Sequence, residues 1–212
     1  MRTPTILTAI LMAMLASHAE ASTISYLVIA DTSSVALQSG YLDLQFEPNP
    51  SGSHPATAMV DGFTTSGVLN GPASLTGDVT GQLPAPVNFD NQTTFNDFFQ
   101  PMNFGSSLSF NVTLNGPNPP GGFSSAFNIA FYASDGATPI LTTSPDGIAG
   151  QIILAANGTT TPVAIPATPG GASVLTITPA ATAPEPSYGW LLALMFILSS
   201  AARMILSRTA RS

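Results

Sequence analysis

The sequence predicts an all-β chain: an antiparallel β-sandwich, jelly-roll-like, set between two terminal segments of different character. Three observations carry this expectation. Apolar residues recur at every second position in several short runs. Clusters of Gly, Pro, Ser and Asn separate those runs. No internal stretch has a convincing 3.6-residue apolar period. The chain spreads 18 Gly and 19 Pro over 212 residues, so turn formers punctuate it throughout.

In chain order, the strands expected are "ISYLVIA" at 24–30, "YLDLQFE" at 41–47, "TAMVDGFTT" at 57–65 and "ASLTGDVT" at 73–80. "SLSFNVTL" at 107–114, "AFNIAFYA" at 126–133, "GQIILA" at 150–155 and "SVLTIT" at 173–178 follow. The clearest is 107–114, where Leu108, Phe110, Val112 and Leu114 alternate with Ser109, Asn111 and Thr113. Period two means one buried and one wet face. By the same pattern Leu42, Leu44 and Phe46 point inward while Asp43 and Gln45 point outward, and Phe127, Ile129 and Phe131 face the core. Only "TTFNDFFQPMNF" (93–104) could hold a helical turn, and 154–172 reads as a loop or long hairpin. The turns are "EPNPSGSHP", "NGPNPPGG" and "ASDGATP".

Composition removes several function classes. Only 7% of the residues are charged, against about 25% in ordinary domains. The formal net charge is −7. Between the terminal segments the acids are Asp31, Asp43, Glu47, Asp61, Asp78, Asp90, Asp97, Asp135 and Asp146, with His54 and no Lys or Arg. Nucleic-acid binding needs cations against phosphate, so no nucleic-acid partner is expected. Phosphoryl transfer lacks its cationic clamp. The absence of Cys excludes disulfides, thiol catalysis and thiolate metal sites.

The N-terminus carries one basic residue, Arg2, then an apolar core over 6–16 and the small-residue site Ala19-Glu20-Ala21. This is the pattern of a secretory signal peptide over 1–21, cleaved after Ala21, with a second site after Ala19. The apolar core is short for a span, which needs about 20 residues. The exported domain is then 22–179, followed by a Pro/Ala stalk at 180–187.

The C-terminus holds 14 uncharged residues, 189–202, or about 21 Å of helix. Extending to 206 gives about 27 Å, close to a hydrocarbon core of about 30 Å. The expected transmembrane helix is 188–206. Trp190 and Tyr188 sit at its outer interface, Arg203 snorkels to the headgroups, and Arg208 and Arg211 lie in a basic cytoplasmic tail at 207–212. A buried amphipathic helix does not fit, because the run has no polar stripe.

Pro184-Glu185-Pro186 holds the chain extended just before this span. That order of motif, apolar span and arginine-bearing tail, behind an N-terminal signal peptide, resembles the PEP-CTERM sorting signal of Gram-negative bacteria. The resemblance implies an exosortase-type processing enzyme as partner and an inner-membrane stage before processing. It also implies a final place at the cell surface or in an exopolysaccharide biofilm matrix. The arginines are spread along the tail rather than clustered after the span. "SGYLDLQFEPNP", "TGDVTGQLP", "FNDFFQPMNFGSSLSFNVTLNGP" and "TTSPDGIAG" further resemble one family of PEP-CTERM-anchored extracellular proteins. That family implies a β-rich surface protein and no catalytic residue. Asn91-Gln92-Thr93, Asn111-Val112-Thr113 and Asn157-Gly158-Thr159 match the N-glycosylation pattern, which in a bacterial setting is chance.

The chemistry offered by 22–179 is thin. His54 lies in a Pro/Gly loop with no readable nucleophile or orienting partner, so it reads as a solvated loop residue rather than a base. One His cannot build a multi-His metal site, and no cofactor is expected. Asp135-Gly136 and Asp146-Gly147 are turn signatures first; oxygen-rich turns of this kind can also bind Ca2+, but no 12-residue loop of spaced acids is present. Phe95, Phe98, Phe99 and Phe104 are core candidates first and a sugar-stacking platform second.

Three functions remain, ordered by how much the sequence supplies. The first is a non-enzymatic structural or exopolysaccharide-associated surface protein. The second is a carbohydrate-binding module, favoured if the Phe95–Phe104 cluster is exposed. The third is a glycan hydrolase, favoured if two carboxylates face each other in a cleft.

Overall fold

In the computed structural model the described residues are 23–180. They form two antiparallel sheets that share one apolar core, a β-sandwich-like arrangement. The strands are β1 (Thr23–Asp31), β2 (Ser39–Pro48), β3 (Thr57–Thr65), β4 (Val68–Leu69), β5 (Ser74–Thr76), β6 (Val79–Gly81) and β7 (Val87–Asp90). The second half supplies β8 (Asp97–Asn103), β9 (Ser107–Asn115), β10 (Ser125–Ala133), β11 (Pro139–Ile140), β12 (Ile148–Leu154), β13 (Thr160–Ala164) and β14 (Leu175–Pro179). One 3-10 turn, Ser33–Val35, is the only helical element among the described residues. None of their helices is long and apolar enough to cross a membrane. The expected signal peptide with Ala19 and Ala21, the Pro184-Glu185-Pro186 motif, the span at 188–206 and its Trp190, Arg203, Arg208 and Arg211 lie outside the described residues.

The smaller sheet runs β14-β1-β9-β3-β7-β6. The larger runs β13-β12-β10-β2-β8-β4, with β11 beside β10 and β5 beside β8. Consecutive strands therefore often change sheet, and the core closes only when distant segments meet. Phe89 on β7 packs edge-on against Phe127 on β10, ring centroids 5.6 Å apart, and joins the two inner faces.

The alternation in "SLSFNVTL" is realised along β9. Leu108, Phe110, Val112 and Leu114 are all buried and their intervening neighbours are not. β1 lies beside it with Val28 opposite Phe110 and Tyr26 opposite Val112. On the other flank β3 carries a bulge. Asp61 pairs with Asn111 and Thr64 with Ser109, so Gly62 and Phe63 together stand opposite Phe110. Gly62 takes the left-handed backbone, φ +61, that the bulge needs. The extra residue returns Phe63 to the core, where its ring lies 6.4 Å from that of Phe110.

Three local expectations are corrected. The "TTFNDFFQPMNF" segment holds no helical turn: residues 97–103 are β8, with Phe98, Gln100 and Met102 buried. Pro101 is tolerated there because its ring nitrogen replaces no ladder bond. Its carbonyl accepts from Asn70 N on the side where β8's neighbour changes from β4 to β5, and its nitrogen faces the same way. The 73–80 run is not one strand. Gly77, at φ +74, splits it into β5 in the larger sheet and β6 in the smaller. Asp43 lies on the outer face as expected but is not wet, being only 3% exposed. The 154–172 segment resolves into the β12–β13 hairpin and the loop that leads to β14.

Candidate functional site

Two places on the described surface gather chemistry, one on the outer face of each sheet. The first is a cleft of ≈ 610 Å3 on the smaller sheet, over β3, β7 and β6. Outward positions of these strands supply its walls. Thr57 pairs with Asp90, Met59 with Asn88, and Thr80 with Asn88 across the ladders. Asp78 enters from the turn before β6, its carbonyl accepting from Asp90 N at 3.0 Å, and Asn115 borders the cleft from β9.

The lining is thus two hydroxyls, two amides and two carboxylates around one thioether, with Ala58 and Phe89 beneath and no cation. Asp90 keeps one carboxylate oxygen, Oδ1, buried without a hydrogen-bond donor. Such a set offers donors and acceptors to a polyhydroxylated ligand, and Met59 offers it an apolar floor. It contains the acid pair that the hydrolase reading asks for. Asp78, however, is exposed. Asp90 is half-buried, so the pair joins one exposed and one half-buried carboxylate.

The second place lies on the larger sheet. Outward residues of three neighbouring strands converge: Tyr41, Asp43, Gln45 and Glu47 from β2, Asp97 and Phe99 from β8, and Asn128 and Tyr132 from β10. Tyr41 and Phe99 stack at 4.4 Å, and Tyr132 tilts against Phe99 at 5.8 Å. These tall rings wall in the shorter side chains, which is why Asp43 is buried on a nominally wet face. Burial first, then the hydrogen bond and charge of Asp97, push the Asp43 carboxyl up to about 9. Glu47 is raised by its own burial and by Asp97. Tyr132 is raised by burial and then by the negative charge of the two aspartates.

The phenylalanine cluster divides. Phe98 and Phe104 are buried, Phe99 is locked between the two tyrosines, and only Phe95 is exposed, at 44%. The cluster is therefore mainly core, and Phe99 stacks one face on Tyr41. His54 is not simply solvated. Its Nδ1–H donates to the Pro119 carbonyl at 2.8 Å and its ring packs against Gly121 and Gly122, so it braces two loops. Asp135 behaves as a turn residue: its carboxylate accepts from Thr138 and from Ala137 N, bonds that hold it down at about 2. Asn91 is consumed by structure, accepting from Ala56 N and donating to His54 O and Ser125 Oγ.

The sequence alone points to neither site. The cleft needs β3 beside β7 and β7 beside β6, an order that links residues 57, 80 and 88 only after folding. The one available signal was the outward polar member of each alternating pair.

No protein family matches the chain, and no curated protein or solved structure matches it.

Proposed function

We propose that the protein is exported, sorted through its C-terminal PEP-CTERM-like signal, and works without catalysis at the cell surface or in the matrix by contact with exopolysaccharide. In this reading Pro184-Glu185-Pro186 presents the tail to an exosortase-type enzyme while 188–206 holds the chain in the inner membrane. The β domain is a jelly-roll-like sandwich that acts as the ligand-bearing part.

The observation that carries the ligand class is the cleft on the smaller sheet. Its hydroxyl, amide and carboxylate groups suit sugar hydroxyls. Residues 22–179 carry nine acids and no Lys or Arg, which disfavours polyanions, so the fitting polymer is neutral or basic. A hydrolase is the weaker reading, since one of the two carboxylates in the cleft, Asp78, is exposed rather than enclosed.

The experiment is co-sedimentation of the exported protein with polysaccharides of differing charge. Neutral or amino-sugar polymers should carry it down, and Asn88→Ala and Thr80→Ala should release it. Failure to sediment with any polymer would remove the glycan ligand. Appearance of new reducing ends would turn the assignment to a hydrolase.

A further inference from the structure

We propose that the cleft on the smaller sheet is one end of a longer track, with a second sugar subsite at the far end of β3 and β9, so that the ligand is an extended stretch of polysaccharide rather than a single sugar or a chain end. This rests on the glycan reading of the cleft. The second subsite is a hollow of ≈ 210 Å3 on the same outer face. The hydroxyls of Thr64, Thr65, Ser66, Ser107 and Ser109 line it, with Ile29 as their apolar neighbour.

The chemistry of the hollow suits a neutral sugar. No charged side chain lines it. Ile29 is 44% exposed although β1 is an inner strand, between β14 and β9, so an apolar surface lies open beside the hydroxyls. Thr64 Oγ1 and Ser109 Oγ bond to each other at 2.8 Å. One hydroxyl donates to the other, which leaves the pair a free donor and free acceptor sites for a sugar hydroxyl. The volume is below the ~300 Å3 at which ligand pockets usually begin, so the hollow works as part of a larger site.

The ladders connect it to the cleft. Ile29, Ser109 and Thr64 stand in one row across β1, β9 and β3. Asn115 and Thr57 stand in another, at the border of the cleft. The run from Ser109 to Asn115 along β9 covers about 20 Å. Between the rows the outward side chains are Met59 and Asp61 on β3 and Asn111 and Thr113 on β9, and none is aromatic. Asn111 Nδ2 donates to Asp61, and Thr113 is bonded to Ser25, each at 2.8 Å, so these groups are tied strand to strand. The outer face of the larger sheet instead carries the rings of Tyr41, Phe99 and Tyr132.

The bulge in β3 builds the second row. Asp61 faces outward, so uninterrupted alternation would turn Phe63 outward as well and set a ring on the track. The extra residue sends Phe63 to the core and presents Thr64 to Ser109.

The test titrates the full chain, in detergent micelles, with a length series of oligosaccharides cut from its host's exopolysaccharide, disaccharide to octasaccharide. Affinity should be weak for the shortest fragments, rise at least about tenfold once a fragment spans about 20 Å, and then level off. Ile29→Ser and Thr64→Ala should each remove most of that gain and leave the affinity of the short fragments unchanged. Asn88→Ala, in the cleft, should weaken binding at every length. Near-UV circular dichroism of each variant should match wild type, which separates lost binding from lost folding. Affinity independent of length, or a length gain that survives either substitution, would overturn the second subsite and leave the cleft in place. No binding at any length would overturn the cleft reading, and the track with it. Self-association in sedimentation velocity that Ile29→Ser abolishes would give the hollow to a second copy of the chain and overturn the subsite.

Discussion

Asp43 on β2 and Asp97 on β8 lie diagonally across one ladder, each with a buried carboxylate oxygen that meets no donor. A raised carboxyl stabilises the fold in its protonated form. Asp43 goes from an ordinary value of 3.8 to about 9 on folding, so its contribution is full below pH 3.8 and is lost as pH rises towards 9. Asp135, held down at about 2, acts in the opposite sense: its contribution is present above the usual carboxylate range and lost as pH falls towards 2. Urea unfolding should therefore show greatest stability at about pH 4, where the two contributions meet. It should show a fall from pH 6 to pH 8 with a slope of at most about 1.4 kcal/mol per unit. Asp43→Asn should flatten that slope. A stability that climbs from pH 6 to pH 8 in wild type would show that the pair does not hold a proton.

Phe110 is fully buried at the centre of β9, against Val28, Phe63 and the facing sheet. Phe110→Ala should cost about 3–5 kcal/mol, the usual loss for an emptied aromatic site. Its neighbour Asn111 is half-buried on the outer face, with Nδ2 donating to Asp61 at 2.8 Å. Asn111→Ser should cost about 1 kcal/mol or less. Denaturant midpoints with unchanged slope would confirm the pair of values. Equal costs at the two positions would contradict the register of β9.

The bulge in β3 gives a separate check on the same sheet. A Cβ at Gly62 would sit 2.9 Å from Asn111 Nδ2, on a backbone at φ +61. Gly62→Ala should destabilise by about 1–2 kcal/mol. Adding Asn111→Ala should recover the steric part and leave the backbone part. A neutral Gly62→Ala would mean that β3 runs without the bulge.

How much of this was legible follows from where each signal sits. Residues 107–114 and 57–65 were readable because period two is a local property, and Leu108 to Leu114 display it without interruption. β8 was hidden by Pro101 and by adjacent Phe98 and Phe99, which blur the alternation. Its strand character comes from β2 and from the gap between β4 and β5, all remote in sequence. The alternation puts Asp43 on the correct face but implies the wrong solvation, because Tyr41, Phe99 and Tyr132 gather beside it only in the folded sheet. The buried amides Asn96 and Gln100 were invisible for the same reason. Asn96 donates to Phe46 O on β2, and Gln100 donates to Gly71 O in the turn after β4, partners that no local pattern brings near.

The sorting proposal has its own outcome. With Glu185→Ala in a host that carries the processing enzyme, full-length protein should accumulate in the inner membrane, whereas wild type should leave it with a mature N-terminus at Ser22. Mass spectrometry of membrane and exported fractions reads both ends at once. Equal release of the variant would reduce Pro184-Glu185-Pro186 to a stalk.

The central claim, that the cleft on the smaller sheet binds a glycan, is tested most directly by backbone amide shift mapping of the exported protein. Oligosaccharide fragments of its host's exopolysaccharide are the ligand. Binding should move the amides of Thr57, Met59, Thr80, Asn88 and Asp90 together and leave those of Tyr41, Phe99 and Tyr132 in place. Shifts confined to the larger sheet, or none at saturating ligand, would contradict it.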